Sequence, residues 1–383
     1  MPIVRNPMAL RILALEPYYG GSHQAFLDGW MAHSGHQFTL LTLPAFHWKW
    51  RMRHAAITLA DQINQQAAEG QQWDLVFASD MLNLAELRGL VTDEVARLPS
   101  VLYFHENQLT YPAQQPREWD YHFAFSNFVS GLSASQSWFN SSFHRLDFLS
   151  ALADFLQRMP DHQPLEQVAR IEANSQVQWP GVDLPPRSLE ERADGPLRIC
   201  WAARWEHDKA PGILQQALLQ LDQQGVEFRI SVLGESFRNS PEEFDQMRSQ
   251  LAERIDQWGF LPSRADYQQA LAAADVFVST AAHEFFGISV VEAIAAGAYP
   301  LVPRRLAYPD VLTLDDHPER EIFFYDGSSD ELANRLAQLA QTTTEVRREP
   351  LLESLRASME RYSWPLRAAA MDQQLVQLIA SAN

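Results

Sequence analysis

Asp275-Val276-Phe277-Val278-Ser279-Thr280 and, just past Ala281, Ala282-His283-Glu284-Phe285-Phe286-Gly287-Ile288-Ser289-Val290-Val291-Glu292-Ala293 set the organisation of this chain. The apolar run at 275–280 reads as a buried strand, and Gly287–Gly297 reads as a helix. Glu284 and Glu292 therefore flank a strand-to-helix junction. In an α/β sheet such a junction presents free backbone N–H groups and the positive end of a helix to an anionic ligand. Acids and a phosphate at one junction imply that the acids hold neutral hydroxyls beside the phosphate. The pattern predicts a nucleotide-sugar site.

The surrounding sequence repeats the same alternation. Strands are expected at Leu197–Ala203, Phe228–Leu233, Tyr299–Val302 and Glu321–Tyr325, which makes a parallel α/β domain. Its first strand closes on Trp201-Ala202-Ala203-Arg204-Trp205-Glu206-His207-Asp208-Lys209. Arg204 and Lys209 share one loop, so both can converge on a diphosphate and offset the charge on a leaving group without a metal. Gly234 and Glu235 follow the next strand at the same sheet edge.

The first half reads the same way. Arg11–Leu15 is a first strand ending in the turn Glu16-Pro17-Tyr18-Tyr19-Gly20-Gly21-Ser22-His23. The paired glycines permit close backbone approach, and Ser22 is expected to cap a helix at Gln24–Ala32. Further strands are expected at Gln37–Leu43, Trp73–Ser79, Ser100–Phe104 and Gln176–Trp179, with another strand end at Trp138–Ser141. His105, Glu106 and Asn107 follow a buried strand, at the edge where such sheets place ligands. The polar, Pro-rich stretch around 186–196 reads as a linker. The expected division is 1–185, the linker 186–196, 197–362 and a terminal helix at 363–383 that crosses back to the first domain. Each domain's carboxyl edge would then wall a cleft, one for acceptor and one for donor.

Pro44-Ala45-Phe46-His47-Trp48-Lys49-Trp50-Arg51-Met52-Arg53-His54 is unusual in so acidic a chain, because no acid occurs between Asp28 and Asp61. Trp48, Lys49, Trp50, Arg51 and Arg53 suit a surface that stacks bases and meets phosphates. The alternative is a loop whose rings pack inward and whose cations are solvated.

The bulk numbers bound the class. A chain of 383 residues, 46% apolar, is globular and sized for two domains. A net charge of −18 opposes a broad nucleic-acid-coating surface, though not a local basic patch. One cysteine, Cys200, excludes an internal disulfide or a multi-cysteine zinc site. No signal peptide and no apolar run of ~18–20 residues is evident, so a soluble cytoplasmic protein without membrane contact is expected. No Asp-x-Asp stands at a strand end, and neither a Walker loop nor a nucleophile elbow occurs. Metal independence and the absence of a cofactor are expected.

Glu284-x7-Glu292 with Phe286-Gly287 between, together with the Arg204–Lys209 loop, resembles the donor domain of retaining GT-B glycosyltransferases of family four. Six motifs narrow this: Tyr19-Gly20-Gly21-Ser22-His23, Tyr103–Leu109, Pro160-Asp161-His162, Arg204–Lys209, Ser231–Glu235 and Ala282–Gly287. Together they resemble the tRNA-queuosine mannosyltransferase family, from about residue 10 to the C-terminus. The resemblance implies a GT-B architecture of two Rossmann-like domains. It implies transfer of mannose from GDP-mannose, with retention, to the cyclopentene-diol of queuosine at the tRNA wobble position. Arg204 and Lys209 would then hold the diphosphate and Glu292 the ribose diol. Glu284 and the amides near Phe285, Phe286 and Gly287 would hold sugar and phosphate, and His105 would meet the mannose. Gly20, Gly21, Ser22 and His23, with Glu106 and Asn107, would border the acceptor, and the Trp48–His54 stretch would grip the anticodon loop. The long inter-domain insert of animal members is missing, and Pro180-Gly181-Val182-Asp183 is closer to other family-four enzymes. Two further readings stay open: a related enzyme acting on a lipid or glycan, and a non-catalytic module that binds tRNA or a nucleotide sugar.

Overall fold

The structure is a computed structural model and describes residues 9–111, 121–185, 195–237, 240–342 and 350–382. Most of the expected linker, 186–194, lies outside the described residues. The chain divides into two compact units, Met1–Gly181 with Trp364–Asn383, and Val182–Ser363.

The first unit is built on β1 (Arg11–Tyr19), β2 (Gln37–Pro44), β3 (Leu75–Ser79), β4 (Ser100–Phe104), β5 (Gln136–Phe139) and β6 (Ser175–Val177). Their order is β2-β1-β3-β4-β5-β6, with every neighbouring pair parallel. Buried parallel strands need apolar residues on both faces, so the two-residue side-chain period sends alternate residues to two cores. Leu13, Leu15, Val76, Ala78, Leu102 and Phe104 fill one core. Ile12, Ala14, Leu75, Phe77, Val101 and Tyr103 fill the other. That second core is closed by the helix Gly21–His33 and by the C-terminal helix Trp364–Ala382, which supplies Trp364, Ala368, Met371 and Leu375. Asp372 holds the helix in place, accepting hydrogen bonds from Trp30 Nε1 (2.9 Å), Ser34 Oγ (2.8 Å) and the Gly35 amide (2.8 Å).

The second unit carries β7 (Leu197–Ala202), β8 (Phe228–Leu233), β9 (Ile255–Gly259), β10 (Val276–Val278), β11 (Tyr299–Pro303) and β12 (Phe324–Tyr325). Their order is β12-β11-β10-β7-β8-β9, again with parallel neighbours. β9 has no counterpart in the sequence reading. It is an edge strand of half-exposed residues, so no apolar run marks it. The expected strand at 275–280 shortens to β10, because its flanks do other work. Asp275 accepts the Arg198 amide (2.8 Å), and Thr280 Oγ1 donates to the Lys209 carbonyl (2.7 Å). No helix among the described residues is long and apolar enough to cross a membrane.

Candidate active site

In the second unit, β7 runs into a single 3-10 turn, His207–Lys209, before the helix Pro211–Gln223. The backbone of this turn is tied to the loop after β10. Asp208 O accepts the amides of Ala282 (2.8 Å) and His283 (3.2 Å). Lys209 is thereby buried with its ammonium at the carboxyl edge of the sheet. Three acceptors surround its Nζ: the His283 carbonyl at 2.9 Å, Asp208 Oδ2 at 3.1 Å and Glu284 Oε2 at 3.3 Å. Burial alone would lower the lysine pKa, but Glu284 and Asp208 raise it above its ordinary value. Glu284 shows the converse: burial pushes its carboxyl up, yet Lys209 and the Phe286 amide bring it below the usual range.

From their place in one loop, Arg204 and Lys209 are expected to be two cations available to a diphosphate. Each is in fact paired. Lys209 sits between two carboxylates, and Arg204, half exposed, forms an ion pair with Glu206 at 3.3 Å. A bound diphosphate would have to displace a carboxylate from at least one of them. The remaining positive potential comes from the helix Ile288–Ala296, which has no side-chain cap and starts from Gly287 in the left-handed region (φ 93°). The amides of Gly287, Ile288 and Ser289 have no hydrogen-bond partner among the described residues. Such orphan donors at a helix start bind anions. The small cleft below them is lined by Ala203, Lys209, Ser279, Glu284, Ser289 and Tyr308.

Phe285 and Phe286 are buried, and the Phe286 ring lies edge-on to Tyr362 at 5.2 Å. Their side chains build the core, so only their backbone faces the junction. Gly234 (φ 150°) has an equally firm reason to be glycine: a Cβ there would lie 1.8 Å from the Ala203 carbonyl oxygen. Glu235 is exposed, and its carbonyl accepts the Trp205 amide (3.0 Å). Glu292 is buried on the helix Ile288–Ala296, bound to Arg264 Nη2 and to Tyr267 Oη (3.0 Å). Burial holds its pKa above the ordinary value despite Arg264. The sequence announces neither partner, since Arg264 and Tyr267 lie in a polar stretch with no motif.

In the first unit, His105 follows β4, with its backbone fixed at both ends. Its amide donates to Asp80 Oδ1 (2.9 Å), and its carbonyl accepts from Asn140 Nδ2 (2.9 Å). Its ring stacks on His23 with centroids 4.0 Å apart and packs edge-on against Phe26 at 5.1 Å. His23 in turn is held by Glu16 Oε2 at 3.2 Å. Glu16 is no turn residue: β1 extends past it to Tyr19, and it is fully buried. Ser22 is exposed and makes no cap; the helix begins at Gly21 behind Gly20, which packs on Ala45. Asn107 is buried and accepts the Leu109 and Thr110 amides (both 3.0 Å), so it shapes its own turn and cannot face an acceptor. Glu106 accepts from Gln108 Nε2 at 3.1 Å. Glu16 and Asp80 belong to no recognised motif, although an acid closing a buried apolar strand marks both.

Among the described residues, Glu16, His23 and His105 bring one ligand atom each within 4.8 Å of one another. The two rings lie face to face, however, with an interplanar angle of 30°. Their nitrogen lone pairs therefore lie in two near-parallel planes, a geometry suited to stacking and poorly suited to converging on one ion.

The basic stretch is helical, with Trp48–Ala68 forming one helix of 21 residues. It is thus neither an open loop nor uniformly exposed. Lys49, Trp50 and Arg53 face solvent, together with Phe46 and Ile57. Arg51 does not belong with them: it is 8% exposed, donates from Nε to the Pro44 carbonyl (3.0 Å) and lies over the Phe46 ring. Trp48 is half-buried against Phe123.

Two family models match the chain. Residues 11–182 match the tRNA-queuosine alpha-mannosyltransferase N-terminal family, and residues 196–342 match glycosyl transferases group 1. A tRNA-queuosine alpha-mannosyltransferase of Drosophila melanogaster is 35% identical over 311 residues, covering 78% of this chain and 81% of that one. This chain belongs to the tRNA-queuosine alpha-mannosyltransferase family. It is a glycosyltransferase of GT-B architecture, as the motifs implied. A GDP-mannose-dependent alpha-(1-6)-phosphatidylinositol dimannoside mannosyltransferase of Mycobacterium tuberculosis is 29% identical over 166 residues, 39% of this chain and 41% of that one. In fold, the chain is similar to Anabaena HepE, solved with UDP (TM-score 0.68, 19% identity, 97% of this chain and 100% of that one). Sucrose-phosphate synthase of Thermosynechococcus elongatus is similar too (TM-score 0.71, 14% identity, 97% and 100%).

Proposed function

We propose that this enzyme moves mannose from GDP-mannose, with retention, onto the cyclopentene-diol of queuosine in tRNA. The names of the Drosophila and Mycobacterium relatives support acceptor and donor respectively. The observation that carries the chemistry is Lys209, buried beside an uncapped helix start. A departing diphosphate gains negative charge as the glycosidic bond breaks, and prealigned donors in a water-poor site stabilise that charge most. Lys209 and the amides at Gly287–Ser289 supply such donors, and Arg204 adds a second cation once it leaves Glu206. As Lys209 turns to phosphate, Glu284 is released to accept a sugar hydroxyl, and Glu292 is assigned the ribose diol. His105 is assigned to the mannose. This chemistry needs no metal, and we propose that none takes part and that the enzyme works in the cytoplasm.

Lys49, Trp50 and Arg53 are assigned to tRNA, stacking and pairing with an unpaired loop. A second reading keeps one specific support: exposed Phe46, Trp50 and Ile57 beside Lys49 and Arg53 are also what a membrane-surface helix displays, which suits a lipid acceptor. Incubation with GDP-mannose and queuosine-containing tRNA, followed by nucleoside mass spectrometry, separates the two. A hexose on queuosine supports the proposal. No gain on tRNA, with sedimentation on anionic liposomes, would favour the lipid acceptor.

A further inference from the structure

A buried acid lies behind the stacked histidines. Glu16 is fully buried and accepts three hydrogen bonds: from the Tyr18 amide (2.8 Å) and Ser79 Oγ (2.9 Å) on Oε1, and from His23 Nδ1 (3.2 Å) on Oε2. Three donors fix the orientation of this carboxyl group, and His23 is the partner able to pair with it as a cation. His23 in turn covers one face of His105, while Phe26 and Tyr103 pack against the same ring. With its amide on Asp80 and its carbonyl on Asn140 as well, His105 has little freedom to rotate. Its Nε2 has no hydrogen-bond partner among the described residues. An unsatisfied ring nitrogen in so determined a setting is costly unless a ligand completes it.

We propose that Glu16 is the positioning residue of this site: it holds His23 as an imidazolium face to face on His105, so that His105 stays neutral and offers Nε2 to a ligand hydroxyl. The inference rests on the proposed assignment of His105 to the transferred sugar. Two stacked imidazoles 4.0 Å apart are not both imidazolium, because like charges at that separation repel strongly. The charge belongs on the ring nearer the acid. The titratable groups that face the pair are Glu16 and Tyr18 from β1, Asp80 after β3, Tyr103 from β4, Glu106 beside His105 itself and His144 on the helix Ser142–Gln157. Against burial, Glu16 first and then Asp80 and Glu106 push His23 up to about 9. Burial, then His23 and His144, hold His105 well below the ordinary histidine value. A neutral His105 accepts or donates one hydrogen bond to a hydroxyl throughout the neutral range, which a protonated ring cannot do as acceptor.

The test is nitrogen-resolved NMR of the ligand-free protein, followed by kinetics, on wild type, Glu16→Gln, Glu16→Asp and His23→Phe. In wild type near neutral pH, both His23 nitrogens carry protons and His105 is neutral. Glu16→Gln removes the charge that keeps the His23 proton. His23 becomes neutral, the charge depressing His105 disappears, and His105 titrates at a higher pH. The acid limb of kcat/KM then moves toward neutral pH, and kcat falls by about 10- to 100-fold as positioning is relaxed. His23→Phe keeps a stacked ring without charge and moves the limb in the same direction, while Glu16→Asp restores the wild-type His23 signals. An unchanged His23 charge in Glu16→Gln overturns the inference, as does an acid limb that stays in place while kcat falls. Because the NMR uses no substrate, it decides the matter even if wild type transfers no hexose to tRNA, a result that would count against the proposed function alone.

Discussion

Lys209 shows how little of a site's electrostatics is carried by residue types alone. Its place in a loop with Arg204 is legible, but not the two carboxylates that hold it. The bond to Glu284 joins positions 75 apart in sequence, and no local pattern records it. Lys209→Met should lower kcat by about 100- to 1000-fold, the usual effect of removing one prealigned donor to a developing oxyanion. It would also leave Asp208 and Glu284 without their shared cation, so Glu284 should titrate higher, readable as a shifted acid limb. Gly234→Ala should destabilise the protein by more than about 1 kcal/mol, because its φ is positive and a Cβ meets the Ala203 carbonyl. Thermal unfolding checks this. His23 gives a pH signature of opposite sense to a carboxylate's. Its pKa rises on folding from 6.5 to about 9, so its stabilising effect is complete below 6.5 and lost as pH climbs through 9. The melting temperature should fall over that window in wild type, and the fall should flatten in Glu16→Gln.

Most elements are legible because buried parallel strands are continuous apolar runs, and ten of the twelve strands sit within or across a predicted one or end at a predicted strand end. The edge strand Ile255–Gly259, half-exposed and polar, leaves no such trace. The three-residue β6 overlaps its expected strand only in part. The stretch at Trp48–His54 misleads for the opposite reason: its composition is conspicuous and hides the helical period that turns Arg51 inward. Lys49→Ala with Arg53→Ala should weaken tRNA binding and leave GDP-mannose binding intact, measured by filter binding and calorimetry. The salt dependence should fall too, by about one in log–log slope for each phosphate no longer neutralised. Arg51→Ala should instead cost about 1–3 kcal/mol of stability, because its hydrogen bonds to Pro44 and His54 are broken. Equal effects of the three residues on tRNA alone would refute this division.

Across the whole chain, the two families of strands are visible in the order of elements, whereas the return of the C-terminus depends on a fit between distant residues. Trp364 lies between Gly29 and Gly181; a Cβ on either would sit 2.1 Å from its indole. Gly29→Val should therefore expel Trp364, lower the melting temperature and change tryptophan fluorescence, although position 29 lies far from Trp364 in sequence. The net charge of −18 leaves tRNA affinity to local features, consistent with the cations of one exposed helix end. The proposed transfer of mannose to queuosine runs through a metal-free cationic site. Its most direct test is the hexose content of queuosine nucleoside from tRNA incubated with GDP-mannose and excess chelator, for wild type and Lys209→Met side by side. A hexose is expected with wild type, undiminished by chelator, and almost none with the variant. A wild type that needs added metal, or that leaves queuosine unmodified, would contradict it.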